Sequence, residues 1–140
     1  LLGLVGSEMC IRDRIIAAIL GALFANYIFG LNVIEISSNI RSGANIYISE
    51  IFAATGLLLV ILLSRADGKN VVSFNVGIYI TAALIFTSST SFANPAVTIA
   101  RMFTESFTGI NPSTVIFFIS CQVIGMFAAY ILYNQFFKSK

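Results

Sequence analysis

The sequence predicts an all-α membrane protein: a transmembrane helix bundle that includes one re-entrant half-helix. Two observations carry that expectation. First, 58% of the 140 residues are hydrophobic and only 10% are charged, against roughly 45–50% and 25% in an average globular protein. Mean hydropathy is +0.94. Eight Lys or Arg and six Asp or Glu are too few to cover the surface of a soluble fold of this size. This excludes a soluble enzyme, a nucleic-acid binder and a disordered tail. Second, residues 70–100 hold no charge, a run too long for one span and too short for two at about 20 residues each. A net charge of +2 implies no polyanionic partner. With no His, no Trp and two Cys, metal sites, His-based catalysis and disulfide scaffolds have almost no material, so no cofactor and no enzymatic activity are expected.

The elements follow in chain order. Ser7-Glu8-Met9-Cys10-Ile11-Arg12-Asp13-Arg14 resembles a translated sequencing-adapter tail. The competing reading is a natural amphipathic start with Arg12 and Arg14 as a cytoplasmic flank. Residues 1–14 are expected to be extraneous, leaving 15–140 as one N-terminally truncated membrane domain. The first span is expected over 15–32. A polar stretch over 33–47 follows, with Glu35, Arg41 and the turn-like Ser42-Gly43-Ala44-Asn45. The second span covers 48–63 with Glu50 near its start, and a hydrophilic break at 64–70 carries Arg65, Asp67, Gly68 and Lys69. Residues 71–86 make the third span, and 87–91 are a hydroxyl-rich turn. After a short apolar piece at 92–100, the last span begins near Ser113.

Charge placement sets the orientation. Arg65, Lys69, Lys138 and Lys140 fall on one side, Arg41 and Arg101 on the other, so the positive-inside bias puts the 64–70 loop and the C-terminus in the cytoplasm. An even number of crossings must separate them, which makes the short apolar piece a re-entrant half-helix. Asn94-Pro95 is a helix start: Asn is a strong N-cap, and Pro at the first helical position loses an N–H that had no partner. A helix over about 95–105 would be about 16 Å long, half of the ~30 Å hydrocarbon core. Its positive dipole end would face the membrane centre. The alternative is a plain interfacial turn before a short amphipathic helix.

Asn94-Pro95-Ala96 after a hydroxyl-rich loop resembles the signature of the aquaporin (major intrinsic protein) family. The context agrees: Ser49-Glu50-Ile51-Phe52-Ala53-Ala54-Thr55-Gly56 is similar to the family's fourth helix, Gly77 sits where the fifth has its glycine, and Cys121-Gln122-Val123-Ile124-Gly125 resembles the sixth. Phe24-Ala25-Asn26-Tyr27-Ile28 also echoes Phe127-Ala128-Ala129-Tyr130-Ile131, as an inverted repeat would. The resemblance covers the third to the sixth helix. It implies a multi-pass, homotetrameric channel of the plasma (cell inner) membrane, passing water or small uncharged, glycerol-like solutes.

By that resemblance the Asn94 amide donates to a passing solute, while Pro95 and Ala96 pack the helix tip. The family's filter arginine is replaced here by Val97. Arg101 shares its face one turn farther out and either reaches back to the filter, snorkels to the headgroups or pairs with Glu105. Leu84 and Ile85 stand where the fifth helix contributes to the filter. A filter without His implies a wider or altered solute range. Glu50 reads as a structural brace, or alternatively as a proton-relay carboxylate. Gly21-xxx-Ala25 and Gly125-xxx-Ala129 read as close-packing pairs. Two other functions stay open: an ion-coupled secondary transporter and a non-conducting membrane fragment.

Overall fold

A computed structural model describes the backbone over residues 2–67 and 69–137 and the side chains over 11–65 and 71–137. Among the described residues every regular element is helical: α1 (Leu2–Ile28), α2 (Ala44–Asp67), α3 (Lys69–Phe86), α4 (Pro95–Ala100), a 3-10 turn η1 (Arg101–Phe103) and α5 (Pro112–Phe136). Two stretches are long and apolar enough to cross a membrane, Ala44–Arg65 and Pro112–Phe136, and Val71–Phe86 is a shorter apolar helix. Lys138 and Lys140, on which the expected orientation partly rests, lie outside the described residues, as do Gly68 and the side chain of Lys69. Arg65 is exposed near the end of α2.

The chain divides into two compact units, Leu1–Arg41 with Pro95–Ile116 and Ser42–Asn94 with Phe117–Lys140. In the first, α1 packs against α4 and η1. The helix runs unbroken past Arg14, so helicity marks no boundary there. It stops at Ile28 rather than at residue 32 because Gly30 takes φ +68°. Leu31 N–H then bonds the Asn26 carbonyl at 2.9 Å and Gly30 N–H bonds that of Tyr27 at 3.2 Å. This is a Schellman cap, in which glycine adopts the left-handed turn without a Cβ penalty. The uncharged part of α1, residues 15–28, is only about 21 Å long.

In the second unit α2 packs on α3. Gly56 makes room for the Tyr79 hydroxyl, which a Cβ there would meet at 2.2 Å. The hydroxyl donates to the Ala53 carbonyl at 2.9 Å. Gly125 on α5 lies against α2, where a Cβ would be 2.6 Å from the Ile51 carbonyl oxygen. Thr55 Oγ1 donates to the Gly125 carbonyl at 3.2 Å. The Gly125-xxx-Ala129 pair therefore sits at a close helix contact, with Ala129 fully buried. Gly21 has nothing within 4 Å of an added Cβ.

Both prolines of the chain follow an asparagine, and both open a helix. At α5 the cap is explicit: Asn111 Oδ1 accepts from Ser113 N–H at 3.0 Å and from its hydroxyl at 2.8 Å. The start at Pro112 fits its fixed φ and missing N–H.

Candidate functional site

Glu50 is the anchor of the second unit. It is fully buried on α2, and its carboxylate accepts three hydrogen bonds: from Ala93 N–H at 2.6 Å, Gln122 Nε2 at 2.8 Å and Phe92 N–H at 3.3 Å. Two of these donors belong to the irregular segment leading to Asn94. That segment is unusual in itself, because Thr90, Ser91 and Ala93 all take positive φ (61°, 44° and 45°). Left-handed backbone costs about 1–3 kcal/mol per non-glycine residue and persists only where surroundings impose it. The Glu50 carboxylate, which holds the N–H groups of Phe92 and Ala93, is one such constraint, and Ser49 Oγ accepting from Ser89 N–H at 3.3 Å is another. The hydroxyl-rich turn is largely buried, at Thr87, Ser89, Thr90 and Ser91.

Asn94 and Pro95 themselves are exposed, Ala96 and Val97 half-buried. On α3, Leu84 is 41% and Ile85 85% exposed.

The first unit holds a cavity of about 700 Å³. Ala18, Ala22 and Ala25 of α1 form one wall. Val97 and Arg101 line it as well, and Thr104, Ser106 and Thr108 add hydroxyls. Val97 and Arg101 thus share a face and a cavity, as their spacing of one helical turn requires.

The broken helix is shorter than the expected 95–105 and ends at Phe103. It comprises six α residues and three 3-10 residues, about 15 Å together. Thr104 is already extended at φ −142°, ψ 126°. The cause lies in long-range hydrogen bonds. The last carbonyls of a helix have no intrahelical partner, and here those of Arg101, Met102 and Phe103 are taken by Ile110 N–H at 3.1 Å, Ser37 N–H at 2.9 Å and Asn26 Nδ2 at 2.8 Å. Glu105, just beyond, accepts from the Ser38 backbone N–H and hydroxyl. The Ser38 hydroxyl, then its N–H, hold the Glu105 carboxyl below its ordinary pKa. The contact is therefore complete above the ordinary carboxylate range and is lost as pH falls through the lowered value.

Sequence reasoning placed Arg41 in a polar connection and used it only as a topology charge. It is buried instead, with Nε donating to the Gly109 carbonyl at 2.8 Å and Nη2 to that of Phe107 at 2.6 Å. Asn26 was noted only as part of an internal echo. A polar residue within an apolar span was the available signal for it, whereas nothing in the pattern marked the partners of Arg41. Arg41→Ala removes two charge-assisted bonds and strands their carbonyls, so it is expected to destabilise the protein by about 3 kcal/mol, with Arg41→Lys recovering less than half because an ammonium lacks the fork. Thermal unfolding in detergent measures both, and a wild-type midpoint for Arg41→Ala would show that the clamp contributes nothing.

Apolar helices, two of them long enough to cross a bilayer, a short helix that opens at Asn94-Pro95-Ala96 and a strained, carboxylate-held loop before it fit a helical membrane protein. The chain is 40% identical over 119 residues to Aquaglyceroporin AqpS of Rhizobium meliloti (strain 1021), which covers 85% of this chain and 51% of that protein. Over that segment the chain belongs to the aquaporin (major intrinsic protein) family. It spans about half the length of this curated relative. No family model matches it. No solved structure matches it either.

Proposed function

We propose that the full-length protein is a passive membrane channel for water and small uncharged solutes of glycerol-like size. The observation that carries this reading is the identity with an aquaglyceroporin across 119 residues. The cavity bearing Val97 and Arg101 supports it: a mostly apolar lining with a few hydroxyl-bearing residues and Arg101 suits a small solute with both kinds of surface. Under this reading Asn94 donates to the passing solute, Pro95 and Ala96 form the helix tip, and Val97 with Arg101 forms the outer constriction. By the family resemblance, Leu84 and Ile85 of α3 stand at the positions from which the fifth helix contributes to the filter. Glu50 is the brace of the loop. Homotetrameric assembly and the plasma membrane follow from the family resemblance, a cytoplasmic C-terminus follows from the placement of Lys and Arg, and residues 1–14 lie outside the channel domain.

An ion-coupled transporter is disfavoured by the state of Glu50. It is the sole acid within the apolar stretches, and three N–H donors already occupy its carboxylate. A coupling site needs a carboxylate that can exchange a proton with solution.

The test is reconstitution of the full-length gene product in liposomes, with water and glycerol flux followed by light scattering. Both fluxes are expected above those of empty vesicles, while vesicles holding the 140-residue chain alone should match empty ones. Full-length vesicles that pass neither solute would overturn the reading.

A further inference from the structure

Asn26 is 2% exposed on α1 and joins segments that the sequence keeps far apart. Its Nδ2 donates to the carbonyls of Phe103 at 2.8 Å and Val33 at 3.2 Å. Two acceptors claim both amide hydrogens, so the hydrogen-bond network itself fixes which way the amide points. Phe103 ends the 3-10 turn that Arg101 begins. A turn of three residues has too few internal bonds to fix its own geometry, so its position depends on what holds it from outside. Of its three outside donors, Ile110 and Ser37 act through backbone N–H in irregular segments. Asn26 acts through a side chain on a long helix. Of the three donors it also is the one that lines the cavity with Val97 and Arg101.

From this geometry we propose that Asn26 is a specificity-determining positioning residue. By holding the Phe103 carbonyl it fixes the turn that carries Arg101, and so sets the opening between Arg101 and the Ala18-Ala22-Ala25 face of α1. This rests on the channel reading. The amide is not needed to build such a helix, because the echo of this pentapeptide places Ala129 at the corresponding position, fully buried. Removing the amide frees the turn, lets Arg101 swing outward and widens the opening for the larger solute.

The experiment is paired glycerol and water flux, per unit of reconstituted full-length protein, for wild type, Asn26→Ala, Arg101→Ala and the double variant. Asn26→Ala is expected to raise the glycerol-to-water ratio by about fivefold, the equilibrium weight of one ordinary hydrogen bond. In the Arg101→Ala background the same change should add less than about twofold, because residues acting through one another are not additive. A purely structural role would lower the yield or reduce both fluxes alike and leave the ratio where it was. An unmoved ratio, or an undiminished rise on top of Arg101→Ala, overturns the proposal. If Asn26→Ala fails to accumulate, Asn26→Ser is read by the same criteria, and failure of both would make Asn26 a folding residue and end its role in specificity. Wild-type vesicles that pass neither solute overturn the channel reading, whereas wild-type flux with an unmoved ratio overturns the role of Asn26 alone.

Discussion

Glu50→Ala is expected to cost about 3–5 kcal/mol of stability, because each buried donor left without an acceptor costs about 1–3 kcal/mol. The carboxylate is fully buried. Its loss would strand the N–H groups of Phe92 and Ala93 and the Gln122 amide, and leave a hole where the side chain stood. Three peptides nearby are held at positive φ, so without the acceptor the segment 90–93 should relax and carry Asn94 with it. Glu50→Gln keeps the shape but turns one acceptor into a donor facing donors, and should fall between alanine and wild type. The measurements are thermal unfolding in detergent and water flux in liposomes. A Glu50→Ala protein with wild-type midpoint and flux would show that the loop is shaped by other contacts.

Val97→Arg is expected to lower glycerol flux by at least about tenfold relative to water, since pore diameter and lining charge set solute range. Val97 lies in the same cavity as Arg101, so a guanidinium would project into space now bounded by a small apolar side chain. It would also stand one turn from an existing arginine. Like charges at that spacing repel by about 0.2–0.5 kcal/mol, so the pair should splay and the protein should lose little stability. Conductance measured beside the two fluxes separates narrowing from a change in charge exclusion. If neither Val97→Arg nor Arg101→Ala alters the solute ranking, this face of the broken helix does not border the path.

What was legible in the sequence was the helical class and the apolar stretches, which depend on composition over many residues, and the helix start at Asn94-Pro95. Glu50 stood out as a lone acid inside an apolar stretch, and burial of a charge requires partners, so hydrogen-bond donors around it could be expected before any was known. Helix ends were less legible. Gly30 stops α1 through a left-handed turn, a signal that hydropathy overlooks because glycine is uncharged. The end of η1 was out of reach altogether, since the donors at Asn26 and Ser37 lie 77 and 65 positions away in the chain. Arg41 failed for a related reason. A charge among polar neighbours looks solvated, and only the fold reveals that the Phe107 and Gly109 carbonyls surround it.

Fastening three successive carbonyls to three separate stretches of chain has a mechanical consequence. A short rod held at three points cannot pivot, and one held at two can turn about the line joining them. The connection over 32–41 supplies Val33, Ser37 and Ser38 to contacts within this mounting, so its length is set like that of a strut. Surface connections ordinarily absorb insertions at little cost. Here one added residue between Val33 and Ser37 would shift the two attachments out of step, releasing the rod in rotation while leaving every membrane-crossing stretch untouched.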